Sequence, residues 1–289
     1  MLFSHADIVI TYIMKSDIYI KPLKGVVYFA LLSSLISGCD TERTPGNFES
    51  TPLEVNVKDP IQRDLAEIKR SGVLRMITNY SSNSYFLHRG IEMGFEYELL
   101  NAFAKENDLA LEVIIINPDE NPYDILNSGD GDVIAANYAI TPERKKYVSF
   151  TRPYNLVNQV LVYNETIFNE MNNQNLISSI PITVNRNSSY FPALMNYKQD
   201  GNDIGIQLTR EDIDTEALLM HVADGTFEAT VADENIYNAA SAYITNLVKG
   251  PTVSRYDTIA WAVRNNAPDL ETAMSRFLYK HFRFGQERG

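Results

Sequence analysis

The segment Thr141-Pro142-Glu143-Arg144 carries the sharpest chemical signal in the chain. Thr141 is a good helix N-cap and Pro142 suits a first helical position, so the segment predicts a helix start with free backbone N–H groups. Arg144 would lie one turn into this helix, where its guanidinium can bind a carboxylate through two parallel hydrogen bonds. The spacing therefore indicates an anion site. The alternative is a surface arginine paired with Glu143 or another acid.

Composition argues against two other kinds of site. One cysteine and four scattered histidines provide no metal-ligand spacing, so we expect neither a metal site nor a cofactor. The formal charge is -12, and it becomes about -13 without residues 1–38, which carry three Lys and two Asp. Such a surface repels phosphate backbones, so nucleic acid is not an expected partner. An apolar content of 45% indicates a folded chain.

The elements that must position Arg144 alternate between strand and helix. Short apolar runs at 73–77, 111–116 and 132–136 predict buried strands. Between the first two runs, Phe95, Leu99, Ala102 and Phe103 recur at helical spacing and predict a buried stripe. This order predicts a parallel sheet covered by helices, an α/β arrangement.

A second α/β set follows in the chain. The pattern predicts strands at 182–184, 204–208 and 229–232, a helix opening near Ser189, a helix over 215–223 and another after Asp233. A last strand over 258–264 and a helix over 270–282 complete the chain. We therefore expect two lobes, with crossovers near 157–162 and 248–256. Polar loops at the carboxyl ends of the two sets of strands would face each other across a cleft.

The N-terminal segment has the anatomy of a signal peptide. Lys21 and Lys24 precede an apolar run over 26–36, eleven residues that are too short to span a bilayer comfortably. The run that ends at Cys39 resembles a bacterial lipoprotein box, which implies lipidation of that cysteine. The alternative is a buried cysteine after an ordinary signal peptide. Translation starts at Met1 or Met14, and the second apolar patch over 8–14 favours Met14.

These patterns predict the domain limits and the location of the protein. We expect a signal peptide over 1–38, a flexible tether over 39–60, lobe 1 over 61–158, lobe 2 over 159–250 and a return to lobe 1 over 251–289. Lipidation would anchor the chain in the bacterial cell envelope. By resemblance to enterobacterial lipoproteins, Asp40 favours the periplasmic face of the inner membrane.

Three motifs in a row resemble the extracellular solute-binding protein family 3, the amino-acid-binding type. They are Asp132 to Ala136 after a glycine turn, Thr141 to Arg144, and Phe150 to Tyr154. The resemblance implies a two-lobed periplasmic-binding-protein-like fold of type II, with a mostly parallel sheet flanked by helices in each lobe. It also implies a small-molecule or peptide ligand between the lobes.

The resemblance implies roles for several residues. The family's carboxylate-binding arginine falls on Arg144, its ammonium-binding aspartate on Asp233, and its donors at a helix N-terminus on Ser188 and Ser189. A cation and an anion from opposite lobes would suit a zwitterion. Taken alone, Asp233 could equally be a helix N-cap before Glu234, and the two roles can coexist.

Further positions complete the expected ligand site. Family members hold an aromatic ring over the ligand after the first strand, where this chain has Tyr80 and Tyr85. Ordinary packing is the alternative for both tyrosines. Thr141 belongs to the expected site through its turn, and Ala139 stands where amino-acid binders commonly have a serine or similar donor. We expect Trp261 to pack in the core.

A wider set of motifs resembles the N-terminal domain of the membrane-bound lytic murein transglycosylase F family. The matching segments are 74–78, 94–99, 141–144 and 230–233. In that family a solute-binding-like domain precedes and regulates a goose-lysozyme-like catalytic domain, whose motifs are not found after residue 282. The resemblance implies a noncatalytic lipoprotein that binds an amino acid, a peptide or a muropeptide.

Other functions remain open. One alternative is the amino-acid receptor of an ABC importer, and another is a truncated peptidoglycan lytic transglycosylase. The corresponding partners are an ABC permease or a cell-wall enzyme. A dehydratase of the cyclohexadienyl type would need a general acid in the cleft, and no paired carboxylates or histidine can be assigned there from the sequence.

Overall fold

A computed structural model describes residues 57–117, 120–173, 177–209 and 213–281. The chain divides into two units, Met1–Asn56 and Val57–Gly289, and the description concerns the second. The predicted signal peptide, the lipidation of Cys39 and the sorting role of Asp40 lie outside the described residues. Within those residues, no helix has both the length and the apolar character needed to cross a membrane.

The first half of the described chain alternates between helices and short strands. In chain order these elements are α1 (Leu65–Ser71), β1 (Val73–Thr78), β2 (Phe86–His88), β3 (Ile91–Met93), α2 (Phe95–Glu106), β4 (Ala110–Ile115), α3 (Pro122–Ser128), β5 (Val133–Ile134), a 3-10 turn (Arg144–Lys146) and β6 (Val148–Phe150).

The second half begins and ends with long elements. In chain order it contains β7 (Asn155–Asn164), α4 (Glu165–Asn173), a 3-10 turn (Ile177–Ser179), β8 (Pro181–Val184), α5 (Tyr190–Gln199), β9 (Gly205–Leu208), α6 (Thr215–Ala223), β10 (Ala229–Asp233), α7 (Glu234–Ala240), β11 (Leu247–Ile259), β12 (Ala262–Arg264) and α8 (Pro268–His281).

Ten of the described strands form two five-stranded sheets, and β2 and β3 form a separate antiparallel pair, which confirms the predicted α/β class. Sheet 1 has the order β4-β1-β5-β12-β6, and sheet 2 has the order β11-β7-β10-β8-β9. Strands β1, β4 and β5 are parallel, as are β8, β9 and β10. Strand β12 is antiparallel to its neighbours β5 and β6 in sheet 1, and β7 is antiparallel to its neighbours β10 and β11 in sheet 2. Each sheet is therefore mixed, with one strand that runs against the other four.

A ribbon of β7 and β11 makes the double connection between the sheets. Strand β7 follows β6 of sheet 1, and β11 leads back into β12 of sheet 1. The ladder extends from the pair Leu247 and Asn164 to the pair Ile259 and Asn155, with register shifts along β11. Both strands belong to sheet 2 along their whole length, and the lobe limits at 158/159 and 250/251 stay predictions.

The core of sheet 1 is centred on Trp261, which is fully buried as expected. Its ring stacks on Phe277 of α8 and meets Phe103 of α2 edge to face. The predicted stripe on α2 is partly wrong, since Phe95 is 43% exposed and Ala102 is also exposed. The buried face of α2 instead includes Glu96, whose carboxylate accepts hydrogen bonds from donors in the interior.

Asp132 anchors the start of β5 by an ion-pair network within the protein. Its Oδ1 atom lies 2.8 Å from Nε of Arg63 and 2.9 Å from Nη2 of Arg264, and both Asp132 and Arg264 are fully buried. The backbone N–H of Arg75 donates to Oδ2 at 3.1 Å. This network joins the segment before α1 and the start of β5 to β1 and β12, so it holds together the sheet from which the Arg144 segment emerges.

We expect Asp132→Asn to lower the free energy of unfolding by about 3–5 kcal/mol, because it leaves two arginines in the interior without their counter-charge. Chemical denaturation of the purified protein measures this loss. Asp130→Asn is the matched control, since Asp130 is exposed in the same loop and its carboxylate accepts from Ser128. Equal effects of the two substitutions would contradict the assignment.

Candidate ligand-binding site between the two sheets

Arg144 begins a single 3-10 turn, not the α-helix that the sequence predicts. The hydroxyl of Thr141 accepts the backbone N–H of Arg144 at 3.2 Å, and the carbonyl of Thr141 accepts the N–H of Lys145 at 3.1 Å. The turn ends at Lys146 because β6 starts at Val148. Thr141 thus has the expected local role of a cap, in a shorter element.

The guanidinium of Arg144 is held on one face and along one edge. It lies over the ring of Tyr138, with Cζ 3.8 Å from the ring centroid, and its Nη1 donates to the carbonyl of Ala139 at 2.8 Å. The hydroxyl of Tyr138 bonds to that of Tyr123 at 2.7 Å. Among the described residues no carboxylate forms an ion pair with Arg144, so its remaining N–H groups are available to an anion.

The backbone carbonyl of Ala139 orients Arg144 by accepting one of its N–H groups. Ala139 is 4% exposed, bridges to Ile259 and accepts from Arg144 through its carbonyl. A serine side chain is therefore not needed to orient the guanidinium. Whether Ala139 and Thr141 contact a ligand stays a prediction.

Asp233 ends β10 at the N-terminus of α7, and its side chain is buried. It occupies the N-cap position but forms no side-chain capping bond. Its Oδ2 atom instead accepts from Nδ2 of Asn137, in the loop after β5, at 2.6 Å. Its Oδ1 atom is buried and accepts no hydrogen bond from the described residues. One oxygen of this carboxylate is therefore free for a ligand.

The electrostatic surroundings of Asp233 are mixed. Burial raises the pKa of Asp233 to about 7, the hydrogen bond from Asn137 lowers it, the charge of Asp257 raises it, and the charge of Arg144 lowers it. Arg144 lies between β5 and β6 of sheet 1 and Asp233 ends β10 of sheet 2, so the charge of Arg144 acts on Asp233 without an ion pair between the two. A cation bound at Asp233 would favour the ionised carboxylate.

Tyr190 fixes the backbone at the end of β10. Its hydroxyl accepts the N–H of Asp233 at 3.3 Å and is 3.3 Å from the hydroxyl of Thr215. Burial raises the pKa of Tyr190, and the charge of Asp233 acts in the same direction. Tyr190 is therefore a neutral group beside the carboxylate.

Ser188 and Ser189 precede α5, as predicted. The hydroxyl of Ser188 donates to the carbonyl of Asn185 at 2.7 Å, so its hydrogen is used within the turn. Ser189 is the N-cap and makes no side-chain capping bond. Their role toward a ligand stays a prediction, and of the two hydroxyls that of Ser189 is the less engaged.

Tyr80 and Tyr85 lie after β1 and form an edge-to-face pair with 6.4 Å between ring centroids. Tyr85 is buried and donates its hydroxyl to Oε1 of Glu92 at 2.9 Å. Tyr80 is 53% exposed, and its hydroxyl accepts the N–H of Leu87 at 3.3 Å. Within the described part of the chain, no ring or hydrogen-bond contact joins either tyrosine to Arg144 or Asp233. A ligand contact is a prediction that suits Tyr80 better than Tyr85.

Asn137 is the residue of this site that sequence reasoning missed. Its backbone is left-handed, with φ 51°, a conformation that Asn adopts more readily than most residues. Its side chain donates to Asp233 and accepts from Asn83 at 3.3 Å and from Asn235 at 3.4 Å. Asn137 therefore joins the loops of sheet 1 to those of sheet 2. The available signal was an asparagine directly after a buried strand, at the ligand-binding edge of the sheet.

Glu96 fixes the backbone of Asn137 by a hydrogen bond from the core of sheet 1. It is fully buried and accepts the backbone N–H of Asn137 at 3.0 Å, the indole N–H of Trp261 at 3.0 Å and the hydroxyl of Tyr154. Burial raises the pKa of Glu96, and these hydrogen bonds lower it. The carboxylate thereby connects the aromatic core of sheet 1 to the loop that reaches Asp233.

Nowhere in the described ranges do three His, Cys, Asp or Glu side chains cluster in a way that could hold a metal ion.

Asp233→Asn should raise the melting temperature of the ligand-free protein more at pH 8 than at pH 5. The carboxyl has a pKa of about 7 in the folded chain and about 3.9 in an unfolded chain, so the folded state loses stability as pH rises between these values. Asparagine cannot ionise, so this loss is absent in the variant. Asp203→Asn, at an exposed position, is the control. A pH-independent difference between Asp233→Asn and the parent would contradict this prediction.

Asn137→Gly should widen the gap between the lobes. Glycine keeps the left-handed backbone accessible but removes the side-chain bonds to Asp233 and Asn235. Small-angle X-ray scattering should show a larger radius of gyration for the ligand-free variant. Asn246→Gly is the matched control, because Asn246 also has a positive φ (68°) while its side chain donates to Ala223 in the same lobe. Unchanged scattering of the Asn137 variant would show that other contacts hold the lobes.

The chain has similarities to known proteins in sequence and in fold. The model of the bacterial extracellular solute-binding proteins, family 3, matches residues 74–286. Membrane-bound lytic murein transglycosylase F from Desulfosudis oleivorans is 31% identical over 215 residues, which cover 74% of this chain and 47% of the relative. The chain therefore spans about half the length of the curated relatives that it matches.

Solved structures of amino-acid-binding proteins share the fold. The arginine-bound form of truncated ArgBP from T. maritima has a TM-score of 0.61 at 23% identity, covering 75% of this chain and 100% of that one. An amino acid ABC transporter substrate-binding protein from Streptococcus pneumoniae, bound to L-arginine, has a TM-score of 0.62 at 21% identity, covering 74% and 90%. At such identities the likeness establishes the fold alone. Together with the match over residues 74–286, it shows that the chain belongs to the bacterial extracellular solute-binding proteins, family 3.

Proposed function

We propose that this chain is a noncatalytic binding protein of the bacterial cell envelope that holds a small zwitterionic ligand between its two sheets. The observation that carries the proposal is that Arg144, in the turn before β6 of sheet 1, and Asp233, at the end of β10 of sheet 2, both keep unused hydrogen-bonding groups. Arg144 has N–H groups that no described carboxylate occupies, and Asp233 has an unpartnered oxygen. The charge of Arg144 acts on Asp233 although the two side chains form no ion pair.

A zwitterion satisfies both groups at once. Its carboxylate fits the fork of Arg144, and its cationic end fits Oδ1 of Asp233, with net contributions of about 1.5–3 kcal/mol from each charged hydrogen bond. Because the two protein groups belong to different lobes, the ligand interacts fully only with the closed arrangement and shifts the population toward it. An amino acid, a short peptide or a peptidoglycan stem peptide has this charge pattern.

The relatives favour a role in cell-wall metabolism. They are named membrane-bound lytic murein transglycosylase F, and the chain matches less than half of their length. We place the protein on the periplasmic face of the inner membrane, tethered through a lipid on Cys39, with a cell-wall enzyme as partner. Binding of a peptidoglycan fragment in the cleft would then make the activity of that partner depend on the concentration of fragments released from the wall.

The receptor of an amino-acid ABC importer is the second candidate. It is favoured by the arginine-bound structures that share the fold. An importer receptor should bind one free amino acid tightly, whereas a wall sensor should prefer a peptide. Ligand preference therefore separates the two candidates.

A thermal-shift screen of the purified chain tests the proposal. The probes are the common L-amino acids, L-alanyl-L-alanine and a free peptidoglycan stem tripeptide. A ligand that binds the folded state raises the melting temperature by mass action. If no probe causes a shift at millimolar concentration, the proposed zwitterion site is wrong.

Arg144→Ala should reduce the affinity for any probe found by at least about 100-fold, because two charged hydrogen bonds are lost. Isothermal titration calorimetry measures the change. Arg152→Ala is a matched control, since Arg152 also lies over a tyrosine ring, with its Cζ 4.8 Å from the ring centroid of Tyr279 in α8. If Arg144→Ala and the parent bind the probe with equal affinity, Arg144 does not contact the ligand.

A further inference from the structure

Gln159 lies beside Asp233 on the same face of sheet 2. The two residues are direct partners in the antiparallel pair of β7 and β10. Side chains of such partners project to the same face with Cβ atoms about 4.5–5.5 Å apart. Gln159 is 1% exposed, and its Oε1 atom accepts no hydrogen bond from any residue that the structure describes. A buried amide oxygen without a donor is costly and calls for a partner.

A bulge in β11 brings Asp257 to the same face. Ser254 pairs with Gln159, and Asp257 pairs with Val157, so β11 has one residue more than β7 between these pairs. Tyr256 lies in this bulge with a left-handed backbone, φ 62°. The extra residue re-aims the side chain that follows it, and bulges of this kind are common next to functional sites. Without it, Asp257 would project to the opposite face.

Asp257 is close enough to Asp233 for its charge to act on that carboxyl. Its Oδ2 atom is buried and, like Oδ1 of Asp233, has no donor among the described residues. Lobe 1 presents Arg144 and α5 presents the neutral hydroxyl of Tyr190 to the same carboxyl. Two carboxylates on one face repel each other, so a cation between them would relieve this repulsion.

We propose that Gln159 and Asp257 complete, with Asp233, a three-acceptor site for a primary ammonium group. The three unpartnered atoms are all acceptor oxygens: Oδ1 of Asp233, Oδ2 of Asp257 and Oε1 of Gln159. A primary ammonium group has three N–H donors and one positive charge, which matches this set in number and in sign. A neutral hydroxyl or amide would leave at least one acceptor without a donor and both carboxylates without a cation.

This site narrows the ligand class. The ammonium group belongs to the zwitterionic ligand proposed above, so the inference rests on the proposed function and deepens it. A ligand must carry a free primary amine, as amino acids and free peptides do. A stem peptide that is still attached to its glycan has its N-terminal nitrogen in an amide, which has one donor and no charge. At this position the site therefore selects a free primary amine over an acylated nitrogen.

Paired probes on the full chain test the ammonium site. Each L-amino acid, L-alanyl-L-alanine and the free stem tripeptide is compared with its Nα-acetyl derivative by isothermal titration calorimetry. Acetylation should weaken binding by about 100-fold or more, because a charge and two donors are lost. This comparison uses the unaltered protein, so it does not depend on the folding of a variant.

Variants assign the individual residues. Asp257→Asn should weaken binding of the free amine by about 10-fold or more and Gln159→Met by a smaller factor. Asp203→Asn is the control for loss of one negative charge, at an exposed position of the same lobe, and should leave affinity unchanged. In the ligand-free protein at pH 8, Asp257→Asn should also raise the melting temperature, because it removes the repulsion on Asp233.

The outcomes separate the two levels of proposal. If free amines bind and their acetyl derivatives bind equally well, the ammonium site is wrong while the binding function stands. Free amines that bind Asp257→Asn and Gln159→Met as tightly as the parent would likewise overturn the roles of these two residues. If no free amine binds the parent protein, the proposed function fails and the ammonium site fails with it.

Discussion

The buried carboxylate of Glu96 is the interaction on which the geometry of the cleft depends. It has no counter-ion among the described residues and relies on three donors, from Asn137, Trp261 and Tyr154. Burying a carboxylate is costly unless its hydrogen bonds are complete, so this set of donors must stay together. Two of the donors are core aromatic residues, and the third is the backbone of the loop that reaches across to Asp233. Core packing and cleft geometry are therefore one network.

The cleft itself has the opposite character, because its polar groups are incompletely satisfied. Asp233 has one oxygen bonded and one oxygen unpartnered, and Gln159 and Asp257 each add an acceptor oxygen without a described donor. Such groups lower the free energy of unfolding of the ligand-free protein. A ligand that supplies the missing donors removes this cost, and the difference adds to its binding free energy. The contrast with Glu96 is informative, since Glu96 is fully satisfied and serves structure. Asp233 is half satisfied, as the proposed binding role requires.

Local patterns in the sequence predicted the parts of this arrangement that depend on local structure. The short apolar runs predicted the parallel strands β1, β4 and β5, and the Thr141 segment predicted a cap and the place of Arg144. The helical stripe on α2 was right for Leu99 and Phe103 and wrong for Phe95 and Ala102. Periodicity assigns apolar residues inward, and here Glu96 takes an inward position through donors 41 to 165 residues away. Gln159 and Asp257 were missed for a related reason. Their common face depends on strand register and on a bulge at Tyr256, and neither can be read from one strand alone.

Under the proposed function, the same binding geometry would serve an importer receptor or a regulatory domain, because in both the ligand would act by favouring the closed arrangement of the lobes. A ligand can shift the equilibrium between open and closed lobes only by its difference in affinity for the two. Asn137 already supplies part of the interlobe contact through Asp233 and Asn235, and Glu216 of α6 adds another by accepting the N–H of Ser82 at 3.1 Å. The ligand therefore acts on lobes that have hydrogen bonds of their own. A partner that binds the closed form, such as a permease or a cell-wall enzyme, would raise the affinity of the protein for its ligand. By linkage, the ligand would raise the affinity of the protein for that partner by the same factor.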